Sequence, residues 1–190
     1  MSMGFYFDTN RCIGCATCMI ACKGKNQLEP GTNFRTVAHY EVGKYPDATI
    51  THMSLSCQHC ENPACVAGCP TGAMYKNEDG IVLHDASLCI GCGNCVNVCP
   101  YGAPQILPSG VAGKCDSCIA LRAKGQQPAC VESCLGRCLD FGDLDELKAK
   151  YGADLVSELP CTPAASTTTP SLLIKASDAA LSEDFVERFF

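Results

Sequence analysis

The chain has 190 residues, and 14 Lys and Arg against 20 Asp and Glu give a net charge of −6. That balance, with no basic cluster interleaved with aromatics, argues against a nucleic-acid partner, and no apolar run approaches the roughly 18 residues of a membrane span. Eighteen Cys against no Trp and 7% aromatic residues leave a thin conventional core, so bound groups or cross-links must supplement it.

Met1–Phe7 lacks the basic segment and apolar segment of an export leader. A disulfide scaffold, which needs an oxidising compartment, is therefore disfavoured. Gly4–Phe7 is short and aromatic, as a strand would be. The first cysteine group follows: Cys12, Cys15, Cys18 and Cys22, spaced C-x₂-C-x₂-C-x₃-C. Between this group and the next, Phe34–Val42 and Thr49–Leu55 have strand composition and are split by Gly43, Pro46 and Asp47, which predicts an antiparallel pair. His39 and His52 fall outside any ligand spacing and read as solvent-exposed or sheet-edge histidines.

The second group is Cys57, Cys60, Cys65 and Cys69, followed by Pro70. Its third cysteine comes late because a small loop holding Pro63 intervenes. His59 sits inside the first C-x₂-C and reads as filler, since four thiols already suffice. Asp79-Gly80 signals a hairpin turn within Ala73–His84. The third group is Cys89, Cys92, Cys95 and Cys99, again C-x₂-C-x₂-C-x₃-C and closed by Pro100. Three thiolates spaced by two residues can wrap one corner of an iron–sulfide cubane, while the fourth, a helical turn further on, faces a neighbouring cluster. Zinc sites use paired C-x₂-C units instead, so a structural zinc protein is the weaker reading.

Residues 8–15 and 85–92 repeat each other as Asp-x-x-x-Cys-Ile-Gly-Cys, so the motif occurs twice in one sequence. Residues 57–100 read as one complete bacterial-type dicluster ferredoxin. The fourth group is Cys115, Cys118, Cys130 and Cys134, with a helical segment expected over Ile119–Gly125. Cys138 falls where Ala73 and Ala103 stand after the second and third groups, and reads as a small buried side chain. Cys161 lies in Pro160–Pro170, a Pro/Ala/Ser/Thr stretch that reads as a linker holding a bystander thiol. Asp143 and Gly152 bracket a helix, with acids early and lysines late. In the tail, Leu181, Phe185, Val186, Phe189 and Phe190 would share one helical face and dock on this chain or a partner.

Sixteen cysteines in four quartets imply four [4Fe–4S] clusters. If each quartet lends its last cysteine to another, the second and third pair with each other, and so do the first and fourth. Cluster 1 then takes Cys12, Cys15, Cys18 and Cys134, and cluster 2 takes Cys22, Cys115, Cys118 and Cys130. Cluster 3 takes Cys57, Cys60, Cys65 and Cys99, and cluster 4 takes Cys69, Cys89, Cys92 and Cys95. The expected fold class is α+β: two pseudo-symmetric ferredoxin-like modules of short hairpins and helices, plus an extended C-terminal tail. The outer module comprises 1–56 and 105–150, the inner module 57–104, and the linker and docking tail 151–190. Lys23, Lys114 and Arg137 flank ligands. A cation there favours a reduced cluster, although about half of such charges should be ordinary solvated ones.

Four quartets in this order, with Cys57-Gln-His-Cys-Glu-Asn-Pro-Ala-Cys65, Cys99-Pro-Tyr-Gly-Ala-Pro104, Lys114-Cys-Asp-Ser-Cys118 and Pro128-Ala-Cys-Val-Glu-Ser-Cys134, resemble the iron–sulfur subunit of the dimethyl sulfoxide reductase family. The likeness runs from about Gly4 to Leu147. It departs at Leu135, where Pro is usual, and at Cys138, where Ala is usual. The resemblance implies a non-catalytic electron-transfer subunit. It would relay electrons between a quinol-linked membrane subunit or soluble carrier and a large molybdopterin (molybdenum or tungsten) catalytic subunit acting on a sulfoxide, N-oxide, catechol or similar small substrate. A free-standing polyferredoxin is the alternative. No nucleophile–base pair, phosphate loop or nucleotide fingerprint is present. With no leader of its own, the protein is expected in the cytoplasm or co-exported with its partner.

Overall fold

The computed structural model describes residues 2–189. In sequence order the elements are β1 (Met3–Asp8), α1 (Thr17–Asn26), β2 (Arg35–Val42), β3 (Thr49–Ser56), α2 (Ala64–Ala67), β4 (Met74–Lys76), β5 (Val82–His84), α3 (Asn94–Val98), β6 (Gln105–Ile106), β7 (Ala112–Gly113), α4 (Ile119–Arg122), α5 (Ala129–Glu132), β8 (Leu139–Asp143), α6 (Leu144–Tyr151), β9 (Leu172–Lys175) and β10 (Phe185–Arg188). The result is a mixed α and β structure of small sheets and short helices. The segments between them carry most of the cysteines.

The first sheet has the order β8-β1-β9. β1 pairs antiparallel with β8, Phe5 opposite Phe141, and parallel with β9, Phe5 opposite Leu172. Its unbroken apolar runs, Phe5-Tyr6-Phe7 and Leu172-Leu173-Ile174, are what a sheet covered on both faces requires. Alternation sends Phe5, Phe7, Leu139, Phe141, Leu172 and Ile174 to the main core, where they meet Cys18, Cys22, Cys115, Cys130 and Cys134. Tyr6 and Leu173 face the other way, onto Leu147 of α6. Helix α6 is held by Asp143, whose carboxylate accepts from the Asp145 and Glu146 N–H groups, and it stops at Gly152, as the sequence predicts.

The β1–β8 pairing positions the site. Cys12 follows β1 by four residues, and Cys134 precedes β8 by five, with Cys138 adjacent to it, so pairing these strands brings the first and fourth quartets together. Helices α1 and α5 pack against each other for the same reason, and α2 packs on α3 to join the second and third quartets. The expected antiparallel pair is β2–β3, with His39 opposite His52, and the expected hairpin is β4–β5.

Two expectations for the tail fail. Residues 185–188 form a strand rather than a helical face: β10 adds to β2, with Phe185 opposite Val42, because β2 offers an open backbone edge to a β-branched and aromatic segment. Phe185 packs edge-on against Tyr40, and Arg188 Nε meets a Glu41 carboxylate oxygen at 2.9 Å. Phe189 stays exposed, and Phe190 lies outside the described residues. Nor is 160–170 a free linker. The Glu61 N–H donates to the Thr169 carbonyl at 2.7 Å and the Asn62 N–H to the Thr168 carbonyl at 3.0 Å, so the stretch is a strap across the second quartet. Cys161 packs on the core beside Tyr40, rather than standing in an open linker.

Candidate metal centres

Each cysteine loop needs backbone angles that bend it tightly. Gly14 and Gly91, in the same slot of the repeat, have φ of 68° and 69°. Two residues on, Ala16 (φ 56°) and Gly93 (φ 74°) take the same left-handed turn, which Ala tolerates at some cost. The loops then run into α1 and α3, which carry Cys18 and Cys95 inward.

The thiols surround hollows. One is lined by Cys12, Cys15, Cys18 and Cys134. A second is lined by Cys57, Cys60, Cys65 and Cys99. A third is lined by Cys69, Cys89, Cys92 and Cys95. In each, three thiols come from one quartet and one from another. The remaining quartet members, Cys22, Cys115, Cys118 and Cys130, are all buried, and Cys22 lies within electrostatic reach of the other three. Burial, with those sulfurs behind it, pushes the Cys22 thiol up to about 12. Burial likewise lifts Cys65 to about 12. Metal uptake at either must displace a tightly held proton.

The chemistry of the donor set fits an iron–sulfur cubane. All eighteen cysteines are free thiols. The hollows are otherwise walled mostly by apolar side chains, including Pro63, Val82 and Pro104 in one and Val37 and Leu139 in another. Backbone N–H groups point at sulfur, from Cys138 to Cys134 Sγ at 3.3 Å, Ala112 to Cys89 Sγ at 3.4 Å and Ser117 to Cys115 Sγ at 3.3 Å. Such donors stabilise negative charge on sulfur.

Several side chains around the hollows differ from their sequence reading. His59 is fully buried, and its Nδ1 accepts from the Val82 N–H at 3.2 Å and lies 3.9 Å from Cys57 Sγ. Its Nε2 is buried without a hydrogen-bond partner among the described residues, and Cys115 of the fourth quartet lies within electrostatic reach of the ring. Burial opposes charge on both partners, yet the Cys57 sulfur raises His59 and His59 lowers Cys57. His39 and His52 are half-buried cross-strand neighbours with Nδ1 atoms 2.9 Å apart, His39 on the central strand β2 and His52 on the edge strand β3. Burial, then His39, lowers His52. Both rings press on Gly14, where an added Cβ would sit 2.7 Å from His52. Cys138 is buried as expected, but its Sγ lies 3.3 Å from Cys134 Sγ and it lines the same hollow.

Of the three flanking cations, Lys114 is buried, its ammonium donating to the carbonyls of Val82 and Cys115. Lys23 instead ties down a loop through the Glu29 and Thr32 carbonyls, and Arg137 donates to the Glu132 carbonyl at the surface. The sequence reading missed Arg35, which is 3% exposed and within electrostatic reach of the Cys18, Cys22, Cys115 and Cys130 sulfurs. A lone Arg opening a strand carries no spacing signal.

A family model described as a 4Fe-4S dicluster domain matches residues 48–144, and one described as a 4Fe-4S binding domain matches 9–29. The sequence is 46% identical over 181 residues to the B subunit of the anaerobic dimethyl sulfoxide reductase of Escherichia coli (strain K12), covering 90% of this protein and 87% of the relative. It is 40% identical over 176 residues to the B subunit of the polysulfide reductase of Wolinella succinogenes, covering 90% and 92%. It is 46% identical over 144 residues to a thiosulfate reductase electron transfer subunit of Salmonella typhi, covering 73% and 74%.

Proposed function

This protein belongs to the iron–sulfur subunits of the dimethyl sulfoxide reductase family, and on that premise we propose that it carries four [4Fe–4S] clusters as the electron relay of a molybdopterin reductase complex. The observation that carries the reading is the composition of the hollows: each gathers three cysteines of one quartet and the last cysteine of another. Clusters 1 to 4 take the ligand sets expected from the repeat, and two pseudo-symmetric modules result, 57–104 forming the inner one. When bound, the clusters supply one-electron redox steps whose potentials protein hydrogen bonds, charge and exposure set.

What the protein contributes is order and insulation. Only Cys15 of cluster 1 and Cys92 of cluster 4 are exposed ligands, and beside them Ile13 and Ile90 are two-thirds exposed. Those two centres are the terminals, where apolar contact with partner subunits excludes water. The ligands of cluster 2 are wholly buried. His59 stands beside the cluster 3 ligand Cys57, with the cluster 2 ligand Cys115 within electrostatic reach. The catalytic partner is a large molybdopterin subunit reducing a small substrate such as a sulfoxide, with electrons delivered by a quinol-linked membrane subunit or a soluble carrier. Among the described residues, no helix is long and apolar enough to cross a membrane.

Anaerobic purification of the protein with its partners tests this. About 16 iron and 16 sulfide per polypeptide are expected for four clusters, together with a large molybdenum- or tungsten-containing subunit. Zinc in place of iron, or cystines in place of thiols, would overturn the cluster reading. Full iron with no large partner would leave a free-standing polyferredoxin.

A further inference from the structure

Arg35 opens β2 and is buried, yet among the described residues no carboxylate pairs with it. Its guanidinium donates to Ser54 Oγ at 2.9 Å, the Ser54 carbonyl at 3.4 Å and Ser56 Oγ at 2.9 Å, all from β3. It lies 4.9 Å over the Phe5 ring. These are neutral partners, and a desolvated cation needs a countercharge. The candidates around it are the sulfurs of Cys18, Cys22, Cys115 and Cys130, one from the first hollow and three from the cluster 2 set. Burial works against the charge on Arg35, but those sulfurs outweigh it and hold its proton more firmly.

We infer that Arg35 is a fixed cation set between clusters 1 and 2, holding the reduction potentials of both above what the buried site would otherwise give. The inference rests on the four-cluster reading. Adding an electron makes a cluster more negative, so a nearby cation favours the reduced form. Arginine suits the position because it stays protonated under all working conditions, whereas a buried lysine readily loses its proton. Ser54 extends the effect. Its Oγ accepts from Arg35, which leaves its own proton free for Cys18 Sγ, 3.4 Å away. The cation thus reaches a cluster 1 sulfur through one hydroxyl. A purely structural Arg35, acting as a strut between β2 and β3, would need the hydrogen bonds but not the charge.

The test is a redox titration, followed by electron paramagnetic resonance, of the anaerobically purified full-length protein and its variants, after iron and sulfide have been counted. Arg35→Gln keeps hydrogen-bonding capacity and loses the charge. Two of the four midpoints should move to more negative potential while two stay. Arg35→Lys should fall between wild type and Arg35→Gln and approach wild type as pH is lowered, because a buried lysine keeps its proton only there, and Ser54→Ala should move one midpoint negative by a smaller amount. Full iron with all four midpoints unmoved in Arg35→Gln, or all four moved equally, would overturn the inference. If Arg35→Gln loses iron, Ser54→Ala decides: one midpoint moved supports the inference and none moved overturns it. A wild-type protein without iron and sulfide would reject the cluster reading itself.

Discussion

Gly91→Ala should cost one cluster and leave the others. Gly91 sits between Cys89-Ile90 and Cys92 with φ 69°, and a Cβ built there overlaps the Gly110 carbonyl oxygen, well under the 3.0 Å that real Cβ atoms respect. The obstacle is backbone, so it cannot rotate away. The left-handed conformation costs a non-glycine residue about 1–2 kcal/mol, and relieving the overlap adds about 1–3 kcal/mol. Gly93, two residues on, is the internal control: its φ is 74°, but an added Cβ meets nothing within 4 Å. Gly93→Ala therefore carries only the first cost, about 1–2 kcal/mol. Relief of the clash pushes the Cys89–Cys92 loop off the 107–111 turn and spreads the thiols around the third hollow. Iron and sulfide per polypeptide should fall by about a quarter in Gly91→Ala, one cluster of four, and stay near full in Gly93→Ala. Equal, full iron in both variants would refute the steric argument.

Lys114→Met removes a buried cation near Cys57 and Cys65. At an effective dielectric of about 20, a charge within several ångströms of a cluster is worth about 1–4 kcal/mol, or about 40–170 mV for one electron. A redox titration should show a midpoint lowered by that order, and four unmoved midpoints would reject it. Cys138→Ala should retain all its iron, because Ala73 and Ala103 fill the matching slots after the other quartets; loss of one cluster would instead make Cys138 a ligand. Asp140 accepts from Lys150 Nζ and Tyr151 Oη, both at 2.7 Å, and although burial opposes its charge these partners hold it below the usual carboxylate range. Asp140→Asn should lose about 1–2 kcal/mol at neutral pH. Because the folded-state value is depressed, that contribution is full above the unfolded value and disappears as pH falls through the folded one. Denaturation of both proteins should therefore show the gap closing in acid. A gap that widened there would refute the assignment.

The cysteine groups were legible in the sequence because spacing within one loop is a local property. Two residues between thiols, a glycine that tolerates positive φ and a following helix are all written within about ten residues. The same locality made the β2–β3 pair, the Asp79-Gly80 hairpin and the Asp143-capped α6 readable. The tail was misread because Phe185–Arg188 takes its conformation from the open edge of β2, far away in sequence, and not from its own periodicity. His39 and His52 looked like stray surface groups for the same reason: only the strand register puts them opposite each other and against Gly14.

The sequence by itself determined the chemistry of the donors, four quartets of thiols with iron–sulfur spacing, since ligand spacing within a loop needs no distant partner. Only the tertiary structure decided which side chains share the space between quartets. β1 pairing with β8 and β9 joins segments far apart in sequence, and that closure brings sulfurs of the first and fourth quartets within electrostatic reach of Arg35. A buried charge is meaningful only through what surrounds it, and those surroundings come from residues widely separated in sequence.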